Sequence, residues 1–282
     1  MRKKMGVLGP LGTHSEAAAQ YFMQRQQRSA ELVCFADIDE CLHAAETGAV
    51  DAAFVPVENS IEGSIAVTLD ALAHSDVLYV RHEVIWPVHN YLMARTAGSA
   101  VRCIYSHPQP IAQCRNFLRR YYPHAEIIKT QSTARAAEIV GASGEYEGCA
   151  AICTQRAGAL NGLTLIAGSI EDRGSNCTRF FEVARAPLPP GAPADTVLVI
   201  CQIDGSRAGA LYGVLGEFAH RAVNLTRIES RPARTELGAY IFFFDLDAHA
   251  EEDVLSASID AVAKKSIWLK VPGAFPVHTA AI

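Results

Sequence analysis

Lys3-Lys4-Met5-Gly6-Val7-Leu8, then Gly9-Pro10-Leu11-Gly12-Thr13-His14-Ser15-Glu16, then Ala17-Ala18-Ala19 reads as a short buried strand, a tight turn and a helix. Two glycines permit the turn. Thr13 can cap the helix, and Glu16 stands three residues later, as a capping box requires. Such a βα unit offers the free N–H groups of a helix start to an anion. It has neither the glycine spacing of a dinucleotide fingerprint nor the lysine of a phosphate-binding P-loop.

The same grammar repeats outward from this unit. Leu32-Val33-Cys34-Phe35 reads as a strand, and Asp37 or Asp39 caps a helix that Gly48 ends. Ala52-Ala53-Phe54-Val55 is a strand running into the polar Glu58-Asn59-Ser60. The β-forming run 77–93 reads as one or two strands. Val101–Tyr105 ends in Ser106-His107-Pro108-Gln109-Pro110, and a helix continues from Ile111 to about 122. His107 reads as a turn residue rather than a general base. Ser132-Thr133 caps a helix over 134–140, Gly148–Ile152 is a strand, and Asn176-Cys177-Thr178-Arg179 leads into the strand Phe180–Val183. Strands and helices alternate over 1–185, which predicts an α/β fold with mainly parallel sheets. Polar residues just past apolar strands fit the binding edge of such sheets.

Four prolines in Ala186–Ala194 mark a linker. Beyond it the pattern reads strand 196–202, helix 208–221, strand 223–230, strand 238–246, helix 250–264, strand 266–271. This βαββαβ order predicts a ferredoxin-like domain.

The bulk composition narrows the function. The 282 residues carry a mild net charge of -5, are 50% hydrophobic, and contain no basic block or basic-aromatic stripe that would suit nucleic acid. No apolar run approaches the roughly 18 residues of a membrane span. Glycines and Pro10 break up the stretch after Arg2-Lys3-Lys4, which argues against a signal peptide. The eight cysteines form no Cys-x-x-Cys pair and sit mostly among aliphatic residues, as buried thiols do in a reducing, cytoplasmic compartment. No ligand spacing suggests a metal.

Taken together, five collinear motifs resemble the bacterial monofunctional prephenate dehydratases over nearly the whole chain. They are Gly9–Ser15; Val55–Ser60; Ser106–Pro110 with Gln113-Cys114; Ser132–Ala134; and Asn176–Phe180. Gly209-Ala210-Leu211 and Asn224–Pro232 resemble that family's phenylalanine-binding ACT domain. The resemblance implies a two-lobed, periplasmic-binding-protein-like catalytic part over 1–185, with its second lobe at roughly 80–160, a linker over 186–195, and an ACT domain over 196–282. It implies conversion of prephenate to phenylpyruvate without a cofactor, and feedback inhibition by L-phenylalanine in a homodimer or homotetramer. Thr178 would be the proton donor. Thr13, Ser15, Asn59, Ser60, Ser106, Gln113, Ser132, Thr133, Arg179 and Phe180 would bind substrate. Gly209, Ala210, Leu211, Asn224, Leu225, Glu229, Ser230 and Arg231 would bind the effector. Arogenate dehydratase and a non-enzymatic solute sensor are the rival readings.

Overall fold

The structure is a computed structural model that describes residues 2–98, 100–142, 146–234 and 238–280. The chain opens with β1 (Lys3–Leu8), α1 (His14–Arg25), β2 (Ala30–Phe35), α2 (Ile38–Thr47) and β3 (Ala52–Asn59), then the two-residue β4 (Gly63–Ser64), α3 (Ala66–His74) and β5 (Tyr79–Pro87). Local chemistry sets these boundaries. The Asp37 carboxylate accepts the Glu40 N–H at the start of α2, and Gly48 ends it at φ +81°, a conformation that costs a residue without Cβ little. In β3, Ala52 to Val57 are all buried, the mark of a strand covered on both faces.

A second lobe comes next, built from β6 (Tyr91–Ala94), β7 (Cys103–Ser106), α4 (Pro108–Gln113), α5 (Arg115–Tyr121), β8 (Glu126–Lys129), α6 (Thr133–Gly141), β9 (Cys149–Cys153), α7 (Gln155–Leu160) and β10 (Thr164–Ala167). β11 (Cys177–Ala184) returns to the first lobe. The run 77–93 is therefore two strands in two different sheets, and the second lobe begins near 91, not 80. The helix expected over 111–122 is two helices, broken at Cys114.

The sheets are mixed rather than mainly parallel. In the first, ordered β16-β5-β11-β3-β1-β2, β1 runs parallel to β2 and β3 while β11 runs antiparallel to β3 and β5. In the second, ordered β10-β6-β9-β7-β8, β7 is parallel to β8 and β9 but β6 is antiparallel to β9 and β10. The chain crosses between lobes twice, and a strand arriving from the other lobe enters its sheet from the opposite end.

The last part contains β12 (Thr196–Ile203), α8 (Ala210–His220), β13 (Leu225–Pro232), β14 (Tyr240–Asp247), α9 (Glu252–Ala263) and β15 (Trp268–Phe275). They form an antiparallel sheet ordered β13-β14-β12-β15, the ferredoxin-like arrangement expected from the βαββαβ pattern. One sheet face packs on its own helices through Val199, Phe218 and Phe244. The other face joins the core of the first lobe: Leu198, Ile200, Ile241, Phe243 and Phe275 share a cluster with Val55, Leu69 and Phe181. Contact is close enough that a Cβ on Gly273 would lie 2.2 Å from the Val80 carbonyl oxygen. A final strand, β16 (Val277–Thr279), pairs parallel with β5 and edges the first sheet. Residues 277–279 thus extend the first sheet, although the sequence pattern assigns everything after 195 to the C-terminal domain.

Candidate active site

The ends of β3 and β11 carry the site. Register places Thr178 opposite Asn59 on one side and opposite Trp86 of β5 on the other. The Asn59 side-chain oxygen accepts the backbone N–H groups of Ile61 (3.0 Å) and Glu62 (3.1 Å). This fixes the amide, so Nδ2 must point the other way. It donates to Asn176 Oδ1 (3.0 Å) and to Thr178 Oγ1 (3.0 Å). Asn176 Nδ2 in turn donates to Gln113 Oε1 (3.3 Å), which also accepts from Asn90 Nδ2 (3.3 Å).

The chain of donors has two chemical consequences. Thr178 Oγ1 receives a hydrogen bond from Asn59, so its own O–H is free to donate elsewhere. At the other end, Gln113 Nε2 and Asn90 Oδ1 are buried with no partner. The network thus ends in one unpaired donor and one unpaired acceptor, on two amides bonded to each other through their opposite atoms. Asn59, Asn90, Asn176 and Thr178 are all nearly inaccessible.

Two cavities adjoin the lobe crossings. The smaller, about 290 Å³, is lined by Ile61, Gln109, Gln113, Arg173 and Asn176, with Glu62, Glu171 and Asp172 also at its wall. The larger, about 570 Å³, is lined by His14, Trp86, His89, Tyr91, Thr154 and Arg156. Thr178 is not among the residues lining either cavity; it follows Asn176, which lines the smaller, by two residues, and pairs with Trp86, which lines the larger. His14 accepts from Trp86 Nε1 (3.2 Å). Burial first, then the neighbouring His89 charge, lowers the His14 pKa to about 4 against the opposing pull of Glu171, so the ring is neutral at pH 7.

The lobes are stitched beside this site. Glu16 accepts Arg156 Nε and Nη2 (2.6–2.9 Å), and Thr154 Oγ1 donates to the Gly12 carbonyl (2.6 Å). A Cβ on Gly12 would lie 2.9 Å from that of Ala157. Thr13 caps α1 by accepting the Glu16 N–H (3.3 Å). The Glu16 carboxylate, however, takes the N–H of Gly12 (2.7 Å) rather than closing the box on Thr13. Ser15 is buried at the same helix start.

Several expected binding residues are used differently. Arg179 points to the opposite face of β11 from Thr178, as strand alternation demands, and is bound by Glu58 (2.9 Å), Glu83 (2.5 Å) and Asp245 (2.7 Å). It is not a carboxylate holder for substrate. Phe180 is core, stacked on Phe54 with ring centres 5.2 Å apart. Ser106 is fully buried and donates to the Ile152 carbonyl (2.7 Å). Its hydroxyl ties β7 to β9 rather than facing a ligand. Ser60 links two loops, donating to the Ser175 carbonyl (3.3 Å) and accepting the Cys177 N–H (3.0 Å). Ser132 caps α6 through the Arg135 N–H (3.0 Å), with half-buried Thr133 as the first helical residue. His107 caps α4 with Nδ1, which confirms it as a turn residue. Asn90 carries no local signal in the sequence. Asn176 opens the Asn176–Phe180 motif, but nothing local marks its amide as part of a network.

A sequence model described as prephenate dehydratase matches residues 5–187. The chain belongs to the prephenate dehydratase family. A prephenate dehydratase of Lactococcus lactis subsp. cremoris is 32% identical over 279 residues, covering 98% of each chain. A crystal structure of prephenate dehydratase in complex with L-Phe from Arthrobacter aurescens superposes with a TM-score of 0.86 at 32% identity, over 97% of this chain and 90% of that one. A structure described as GqqA, a novel type of quorum quenching acylase, superposes with a TM-score of 0.81 at 26% identity, over 98% of each chain.

Proposed function

We propose that this protein is a prephenate dehydratase in which Thr178 donates the proton that turns the departing hydroxyl into water. The ring carboxylate leaves as carbon dioxide. Its bonding electrons enter the ring as the C–O bond breaks, giving phenylpyruvate. Aromatisation drives the step, so the catalytic need is an acid at the leaving oxygen. A threonine hydroxyl is a weak acid in water. It serves here because the leaving oxygen becomes basic as the bond breaks, while Asn59 supports the oxygen left behind. Thr178 regains its proton from solvent after product forms.

The observation that carries this reading is the Asn59–Thr178 hydrogen bond at 3.0 Å, set by two backbone N–H groups. Gln113 and Asn90 offer the unpaired donor and acceptor that would orient the substrate. The helix starts at Thr13-His14-Ser15 and Ser132-Thr133 offer partial positive charge to its carboxylates. The test is incubation of purified protein with prephenate and, separately, with arogenate, following loss of substrate and release of carbon dioxide. Turnover of prephenate to phenylpyruvate is expected. Turnover of arogenate alone, or of neither compound, would overturn the assignment.

We also propose that the βαββαβ part is an ACT domain that binds L-phenylalanine and inhibits, as the bound effector in the Arthrobacter relative suggests. Gly209 holds φ +77° at the exposed start of α8, with Ala210 and Leu211 half-buried beside it. Asn224 and Ser230 are exposed, and Leu225 begins β13. Glu229 and Arg231 instead turn toward the first lobe, where they meet Ser64 (2.8 Å) and Asp70 (2.6 Å). The effector site is accordingly assigned to the other six residues.

A further inference from the structure

A charged cluster lies directly behind the catalytic pair. Glu58 precedes Asn59, and Arg179 comes after Thr178, so both project from the opposite face of the same two strand ends. The Arg179 guanidinium reaches Glu58 on β3, Glu83 on β5 and Asp245 on β14. Glu58 is shared with Arg227 of β13 (2.8 Å), which also donates to Ser64 Oγ (2.7 Å). With Glu229 also beside Arg227 (3.4 Å), two guanidiniums face four carboxylates across the seam between the first sheet and the four-stranded sheet. Burial alone would lower the Arg179 pKa, but hydrogen bonding to Glu83 and the charge of Asp245 reverse this and hold it above the ordinary arginine value.

The backbone explains why the clamp matters. The β3–β11 register shifts between Arg179 and Phe180, so the regular ladder is interrupted just where Thr178 and Asn59 must be held. Side chains take over from the ladder at that point. Asp245, 2% exposed, is the carboxylate of the four-stranded sheet that binds Arg179 directly (2.7 Å). We infer that Asp245 is a positioning residue for the dehydration, setting the place of Thr178 and Asn59 through Arg179. The inference rests on the catalytic reading of Thr178. It also supplies a route by which the regulatory part reaches the chemistry: any movement of β14 moves the arginine that backs the proton donor.

The test is the full chain carrying Asp245→Asn, with Thr226→Val as control. Thr226 donates to the Asp245 backbone carbonyl (3.2 Å), a hydrogen bond that does not involve the Asp245 carboxylate or Arg179. Asparagine keeps the size and one acceptor. With prephenate as substrate, and rates normalised to folded protein by circular dichroism, Asp245→Asn is expected to lower kcat about tenfold with KM held within about twofold, since a sub-ångström displacement of a catalytic group costs rate rather than binding. Thr226→Val is expected to match wild type. An unchanged kcat in Asp245→Asn, or a raised KM with unchanged kcat, would overturn the inference while leaving the dehydratase assignment intact. A wild-type protein that leaves prephenate untouched would overturn both. If Asp245→Asn does not fold, Asp245→Glu carries the same readout, because a longer arm keeps the charge but shifts the guanidinium. A normal kcat there overturns the inference.

Discussion

Thr178→Val isolates the hydroxyl. Valine keeps the branched shape that suits a strand and removes only the oxygen. Structurally the loss is one hydrogen bond, from Asn59 Nδ2 at 3.0 Å. That amide keeps Asn176 Oδ1 at 3.0 Å and the Cys177 carbonyl at 3.3 Å, so no buried donor is orphaned. The stability cost should stay near about 1 kcal/mol. The rate cost is larger. Loss of a positioned general acid is worth about 10²–10⁴, or roughly 3–5 kcal/mol of barrier. KM should stay close to wild type, because the hydroxyl acts on the leaving oxygen in the transition state. Thr178→Ser, which restores an O–H on the same strand, should recover activity to within about tenfold. The assay is phenylpyruvate formation at saturating prephenate, with a thermal melt on each variant. A valine variant within tenfold of wild type would sink the proton-donor role, whatever its stability.

Asn176→Ala should lower kcat/KM by about tenfold or more, because Gln113 loses one of the two donors that fix its amide; an unchanged value would place the substrate elsewhere. Added L-phenylalanine should inhibit the full chain, and Gly209→Val should weaken that inhibition while leaving uninhibited turnover intact; equal inhibition of the variant would reject the α8 start as effector site. Deletion of 195–282 should yield no soluble folded enzyme, since it strips β16 from the first sheet and bares the core shared with Phe243 and Phe275; a soluble fragment that turns over prephenate would show that the catalytic lobes stand alone. Acid should destabilise the protein through His82, whose pKa falls to about 3 by burial, then by the charges of His278, Arg28 and Arg81. Below about pH 6.5 the unfolded chain takes up a proton that the folded ring refuses until about pH 3, so stability falls by about 1.4 kcal/mol per pH unit from this group. Glu182, raised by burial, works the other way and offsets part of the loss. Urea midpoints of His82→Gln should therefore vary less between about pH 7 and about pH 5 than those of wild type; identical slopes would refute the assignment.

Range decides how much of the fold and the site is legible in the sequence. Capping, turns and apolar runs are local, so the βα alternation, the Asp37 cap and the βαββαβ order can be read directly, with boundaries shifted by a few residues. The Asn59–Thr178 pairing joins distant segments and no local rule supplies it; only the resemblance in motifs puts the two together. Asn90 lies in a run of β-formers with nothing to mark it. β16 comes after β15 with a single proline between them, and its partner β5 is far back in the chain.

Arg179 shows a different limit. Adjacent polar residues at a strand entrance look like one functional group in a linear sequence, yet a strand sends neighbours to opposite faces. The pleat alone separates Thr178, which meets Asn59, from Arg179, which meets Asp245 of the four-stranded sheet. It also makes the pair useful. One short stretch of β11 presents the proposed proton donor on one face and a charge clamp on the other, so the two cannot move independently. An effector that shifts β14 by less than the length of a hydrogen bond can therefore act on the proton donor without entering the cleft, provided it binds the two positions of that strand unequally.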